Sequence, residues 1–285
     1  MTGHVTVGLD NSPESLAAAH WAARDAALRG ADLLLVHVEE WPLPVAVAMP
    51  TVTRDDHRVW ADRLLDSAVG ELRRAHPGLR ISTRRTSGRP AGALAVEAAD
   101  AELLVLGSRG LGTVMGALMG SIGLATIAAT TVPVVVVRAH GRDGGHGPDR
   151  NVVVGVDLHR PADPVLAFAF GEAARRGCTL RAVHGWKLPL GFAHSGDARA
   201  EAARETAAAL GEVLLPWRQE YPSVEVVERP VMGAGAQALV DEAANAGLVV
   251  VGRHVRRAPL VPHIGHVAHA AMHHCTAPVA VVAHE

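Results

Sequence analysis

Two cysteines in 285 residues, Cys178 and Cys275, exclude a disulfide framework, and each reads as a small buried apolar side chain. Lysine is nearly missing: Lys187 is the only one, so no glycine-rich segment carries the lysine of a Walker-type phosphate loop. No stretch offers the roughly 20 uninterrupted apolar residues that a membrane span needs. The amino end passes from Met1 into a β-like run at His4 to Leu9, without the charged and apolar regions of a secretory leader, so the cytoplasm is the expected compartment. A formal net charge of -2 gives no overall electrostatic reason to expect nucleic acid. Neither an HExxH motif nor a Ser, His and Asp set is present. What the chain does have is 49% hydrophobic and 20% charged residues, the balance of a globular protein, in a length comfortable for two domains.

Internal repetition supplies those two domains. Val7, Gly8, Leu9 and Asp10 recur as Val154, Gly155, Val156 and Asp157, and Val36–His37 recurs as Val183–His184. Gly88, Gly107 and Gly120 align with Gly233, Gly252 and Gly265, and Pro133–Val134 with Pro278–Val279. Residues 1–140 and 151–285 are thus two copies of one unit, joined by a glycine-rich polar linker from Ala139 to Arg150.

Within the first copy, strand-like runs at Val5 to Leu9, Asp32 to Val38, Leu79 to Arg84, Leu103 to Leu106 and Pro133 to Arg138 alternate with helical stretches. Ser12 and Pro13 open a helix running to about Leu28, Arg54 to Ala75 is amphipathic, Pro90 to Ala99 is shorter, and Leu124 to Thr130 closes the set. Continuous Val and Leu runs suit strands buried on both faces. The expected fold is α/β: two tandem five-stranded parallel-sheet sandwich domains of Rossmann-like type.

The stretch from Glu102 to Ile122 organises the unit. A strand ends in Gly107, Ser108, Arg109, Gly110, Leu111, Gly112 and Thr113, and a helix follows Gly120, Ser121 and Ile122. Glycines let the backbone approach an anion, and amides at a helix start point towards negative charge. Ser121 is read as standing at a helix N-cap, and Arg109 adds a fixed positive charge. The same residues also suit a plain tight turn with a serine cap. Asp10, at the end of the first strand, suits either a ligand contact or a helix cap. In open parallel sheets, ligands lie beyond the carboxyl ends of the strands where the winding reverses, which is where these two loops are expected to meet.

These residues resemble the universal stress protein family, in its tandem nucleotide-binding branch. The family's ATP signature (Gly, two residues, Gly, nine residues, Gly, then Ser or Thr) is met by Gly107, Gly110, Gly120 and Ser121. The opening Val-Gly-x-Asp, the Leu-Val-His-Val of the second strand and the closing Pro-Val-Val-Val-Val also match. The resemblance implies an adenine nucleotide α-hydrolase-like fold that binds ATP with Mg2+. It implies that Gly8, Leu9 and Asp10 line the adenosine side, with Asp10 on the ribose or a phosphate-bound metal and Val38 near the adenine. It places Gly107 to Thr113 around the phosphates, with Gly120, Ser121 and Ile122 closing the site.

The second copy departs from that pattern. Val255 stands at the second glycine position and His266 at the Ser/Thr position, while Pro259 and Pro262 remove amide donors. The expectation is one intact nucleotide loop and one degenerate partner. His266, His269 and His273 share a helical face, preceded by His263, which suits either a transition metal or, preferably, a solvated histidine face; no metal ligands are assigned.

Phosphoryl chemistry needs a base, a well-held metal and charge on the transferring group, and this loop supplies no such set. The expectation is a regulatory nucleotide-binding protein and not a dedicated catalyst. The contending readings are an ATP-hydrolysing enzyme of a related fold, whose PP-loop is not supplied by Asp10 to Pro13, and a ligand-free structural scaffold. The apolar final strands are expected at sheet edges, pairing the two halves as the family does, with a further homodimer and an unknown regulatory protein as partners.

Overall fold

A computed structural model of the chain describes residues 3–40, 53–108, 120–139, 151–188, 196–255 and 264–285. The chain divides into two compact units, Met1–His140 and Gly141–Glu285.

Unit 1 alternates β1 (His4–Gly8), α1 (Pro13–Arg29), β2 (Asp32–Glu39), α2 (Arg54–Ala75), β3 (Ile81–Ser87), α3 (Pro90–Glu97), β4 (Leu103–Ser108), α4 (Ser121–Ala129) and β5 (Val134–Arg138). All pairings are parallel, in the order β3-β2-β1-β4-β5. Val5 and Val7 of β1, Leu33 and Leu35 of β2 and Leu103 to Val105 of β4 are fully buried, as strands covered on both faces must be. Trp21 fills the space beneath α1. The N-cap of α1 is Ser12, which accepts from Ser15 N, with Pro13 in the first turn. α2 opens on a reciprocal capping box between Thr53 and Asp56.

Unit 2 repeats the plan: β6 (Val152–Gly155), α5 (Asp163–Arg176), β7 (Leu180–Trp186), α6 (Gly196–Glu220), β8 (Val226–Met232), α7 (Gly235–Glu242), β9 (Leu248–His254), α8 (His266–His274) and β10 (Val279–His284). Its order is β8-β7-β6-β9-β10, again parallel. Two tandem α/β units with five parallel strands each are as the alternation of patterns predicts. In both, the winding reverses at the first strand, whose two neighbours are the second and fourth.

Four local expectations are corrected. β3 begins at Ile81 and runs on to Ser87, because it pairs with β2 as far as Glu39. α4 begins at Ser121, a turn before the Leu124 of the apolar pattern. Its N-cap is Gly120, extended at φ -60 and ψ 149, with no side-chain cap hydrogen bond, so Ser121 sits inside the first turn. Cys178 is only half-buried, whereas Cys275 is buried. The linker from His140 to Arg150 lies outside the described residues. Among the described residues, no helix is long and apolar enough to cross a membrane.

Candidate functional site

The site of unit 1 grows out of the β1–α1 turn. Leu9 N donates to Val36 O at 2.8 Å, which prolongs the β1 ladder by one residue. Asn11 then turns the chain in the left-handed region at φ 67, a conformation Asn tolerates through its short polar side chain. Asp10 Oδ1 accepts from Ser12 N at 3.0 Å and from Ser12 Oγ at 2.5 Å, and Asp10 N donates to Ser15 Oγ at 3.3 Å. Ser12 Oγ accepts in turn from Ser15 N at 3.1 Å. Asp10 therefore shapes the turn and the start of α1, the cap-like alternative of the two its position allowed. From behind, His37 places Nδ1 2.7 Å from Leu9 O; the carbonyl only accepts, so Nδ1 carries the proton.

This turn forms one lip of a cleft at the carboxyl ends of β1 and β4. Leu9, Val36 and Val38 form one wall, Pro90 and Leu94 of α3 another, and Leu106 and Gly107 the floor. Gly120, Ile122 and Gly123 close it from the start of α4. Its cavity measures about 170 Å³. Among the described lining residues, Asp10 is the one ionisable group. The first-turn amides of α4 lack a side-chain cap, and such amides are the ordinary protein device for meeting an anion.

The glycines occupy their places for different reasons. A Cβ on Gly107 would stand 2.5 Å from Glu14 C and 2.6 Å from Ser15 N, so Gly107 lets the start of α1 rest on β4. Gly8 is less constrained: a Cβ there would meet the methyls of Leu94 at 3.1 Å and Leu106 at 3.2 Å.

Of the residues singled out from sequence, Gly8, Leu9, Asp10, Val38, Gly107, Gly120 and Ile122 line this one cleft. Ser108 does not: it ends β4 and is 3% exposed, so the loop starts after it and not at Gly107. Ser121 is exposed at the first turn of α4. Arg109, Gly110, Leu111, Gly112 and Thr113 lie outside the described residues. The walls formed by Val36, Pro90 and Leu94 had not been picked out; Pro90, at the start of a helix just after Gly88, was the available signal.

Unit 2 carries a cleft in the corresponding place with different contents. Its cavity measures about 580 Å³ and is lined by Asp157, His159, Arg160, His254, His266 and His284, among others. His254 and His284 meet edge to face with ring centroids 5.6 Å apart. A Cβ on Gly252 would meet His284 Nε2 at 2.8 Å and Val165 at 3.1 Å, with no helix backbone at the distances seen at Gly107. The rings of His269 and His273 lie along α8 with centroids 4.1 Å apart and tilted by 34°, and His266 alone of that face lines the cleft. Among the described residues, no three His, Cys, Asp or Glu side chains gather closely enough to hold a metal ion. His263, Arg256, Arg257, Pro259 and Pro262 lie outside the described residues.

Comparison with known proteins converges on one family. The model of the universal stress protein family matches residues 1–138 and again 149–283. A universal stress protein of Mycobacterium tuberculosis is 34% identical over 289 residues, covering 97% of this chain and 96% of the relative. One of Mycolicibacterium smegmatis is 32% identical over 284 residues, covering 98% and 96%. The crystal structure of a universal stress protein from Archaeoglobus fulgidus aligns over 98% of both chains with a TM-score of 0.74 at 18% identity, a likeness of fold.

Proposed function

The chain belongs to the universal stress protein family, and from that premise we propose that it is a cytoplasmic regulatory protein whose amino-terminal unit binds ATP with Mg2+. The observation that carries the reading is the unit 1 cleft, where an apolar slot runs into the start of α4, a helix without a side-chain cap. Val36, Val38 and Leu94 offer the apolar surface a purine needs, and Gly8 leaves room beside them. The amides of Ser121, Ile122 and Gly123 suit phosphate oxygens, joined by the loop from Arg109 to Thr113. Asp10 sets the lip of the cleft and brings a carboxylate to its rim for ribose or metal. When bound, the nucleotide supplies a polyphosphate charge that favours one conformation of the protein over others, and a regulatory protein partner reads that difference.

A catalytic role is the weaker reading, because the described lining offers one ionisable group and no base positioned by a second residue. Slow hydrolysis is compatible with the proposal. A further homodimer paired through sheet-edge strands belongs to the same reading.

The test is equilibrium dialysis of nucleotide-stripped protein against ATP and Mg2+, with steady-state turnover measured on the same sample. One ATP per chain is expected, with turnover far below the roughly 10 per second of an ordinary enzyme. Two ATP per chain would overturn the single-site assignment, no binding would leave a ligand-free scaffold, and enzyme-like turnover would favour the hydrolase reading.

A further inference from the structure

Unit 2 has turned the corresponding cleft into something chemically different, and two backbone changes account for it. On the α5 side, Pro161 and Pro164 stand where unit 1 has Glu14 and Ala17, both within α1. A proline at the Ala17 position lacks an amide and collides with the preceding turn, so α5 cannot begin where α1 does. It starts at Asp163, three residues later in the repeat, and the segment around His159 and Arg160 borders a wide cavity. On the β7 side, Gly185 replaces Val38. A Cβ at Gly185 would stand 2.6 Å from Gly235 N, so α7 lies against the strand where unit 1 keeps a slot. The place a base would take is narrowed, and the place beside α5 is widened.

The polar groups of the widened side are mostly imidazoles. His159 is exposed on the β6–α5 loop, His254 ends β9, His266 begins α8, and His284 ends β10. His184 is committed elsewhere, its Nδ1 2.9 Å from Val156 O. Asp157 Oδ1 accepts from His159 N at 2.9 Å, and Arg160 is the one arginine of the described lining. Asp163 follows that loop at the start of α5, and His284 Nδ1 lies 3.3 Å from the main-chain oxygen of Glu285. Arg253 is buried on β9, next to His254 and so on the opposite face by strand alternation.

With the imidazoles neutral, the charges of Asp157 and Arg160 cancel and the described lining is without net charge. Every proton taken up by an imidazole then adds a positive charge inside a concave site. The α8 amides add donors, since Gly265 caps that helix without a side-chain bond. The geometry points to a second ligand site in unit 2, distinct in chemistry from the nucleotide cleft: a proton-dependent receptor for a compact divalent oxyanion of the phosphate or sulfate type, held by His254, His284 and Arg160. A divalent metal needs three converging ligands, which the described residues do not assemble, and its affinity would run with pH in the opposite direction.

Sulfate is the suitable probe because it keeps its charge throughout the working range, so any pH dependence belongs to the protein. Calorimetric titration of the full chain with sulfate, in saturating ATP and Mg2+, is expected to show one site per chain, bound at least about tenfold more tightly at pH 5.5 than at pH 8.0. The double substitution His254→Gln/His284→Gln is expected to flatten that dependence while ATP uptake stays unchanged. Should the double variant fail to fold, His254→Gln alone, at an exposed position, must still weaken sulfate at pH 5.5. Sulfate affinity indifferent to pH or to these substitutions overturns the proposal. So does displacement of the sulfate by excess ATP, or stoichiometric zinc uptake at pH 8.0 that the double variant loses. Because the variants act in unit 2 only, failure here is distinguishable from failure of the nucleotide assignment.

Discussion

The two clefts were built from one repeat and have come to differ most where their glycines agree. Gly107 and Gly252 are equivalent, yet the first holds a helix backbone against its strand and the second faces a histidine ring. The divergence comes from where the following helix begins: Ser12 and Pro13 start α1 directly after the turn, while Pro164 delays α5. One turn of helix present or absent changes a tight apolar slot into a broader cleft that also carries histidines, Asp157 and Arg160. A retained motif glycine therefore says little about retained chemistry until its neighbours are known.

The comparison can be broken at several points. The largest effect is expected at the ion pair each unit buries beneath its first helix. Asp25 and Arg29 meet at 2.6 Å with both side chains almost fully buried, so Asp25→Ala should destabilise unit 1 by about 3–5 kcal/mol in urea unfolding. Glu172 holds Arg175 and Arg176, which remain partly exposed, and Glu172→Ala should cost unit 2 about half as much. Equal losses in the two units would show that solvent access to the arginines does not matter.

Next comes the shared glycine. Gly107→Ala drives a Cβ into the backbone of Glu14 and Ser15 and should cost about 2–3 kcal/mol. Gly252→Ala meets the tip of His284, which can swing aside, and should cost less than about 1 kcal/mol. Thermal melts of the two variants reporting the same shift would contradict the distinction drawn between them.

Gly120→Val tests the nucleotide end of the comparison. A β-branched side chain at the α4 cap narrows access to the first-turn amides and should weaken ATP by about tenfold, or ~1.4 kcal/mol, in a folded protein. Unchanged affinity by calorimetry would move the phosphates elsewhere. Pro161→Glu with Pro164→Ala, which restores the unit 1 residues, should allow α5 to begin earlier, and sulfate uptake at pH 5.5 should fall. Uptake as strong as in the parent chain would sever the link between helix start and cleft.

The smallest effect is a pH trend in unit 1. Burial lowers the pKa of His57, and repulsion from His37 adds to it; burial, with Arg24 and His20, lowers that of His76. A depressed histidine means the unfolded chain takes up protons first, so this contribution is present above the ordinary histidine range near pH 6.5 and is lost as pH falls through the folded pKa values. Melts of His57→Gln should fall less between pH 7 and pH 5 than those of the parent. The ligand-bound unit 2 should move the other way, gaining from sulfate as the solution is acidified.

Much of this was visible along the chain. The Val and Leu runs announce buried parallel strands, the amphipathic run from Arg54 to Ala75 matches α2 end to end, and the repeat announces two units. Asp10, Gly107 and Gly120 were legible as neighbours because strand ends and glycines are local signals, whereas Val38 was named through the family resemblance; all four line one cleft. The start of α4 was missed because Ser121 and Gly123 flank a single apolar residue, Ile122, and so give no apolar stripe. The role of Gly107 was missed because its reason is Glu14 and Ser15, far away in sequence. His254 and His284 look unrelated until β9 and β10 pair with His254 opposite His284.

The order of residues by itself determined the alternation of strand and helix, the duplication, and which segments carry glycine and proline, since these depend on side-chain periodicity and backbone sterics within a few positions. Tertiary structure alone decided which glycine faces a helix, how wide each cleft is, and which histidines share a space. Those outcomes depend on contacts between elements distant in the chain, where a shift of a single helical turn redistributes volume and charge that no local pattern records.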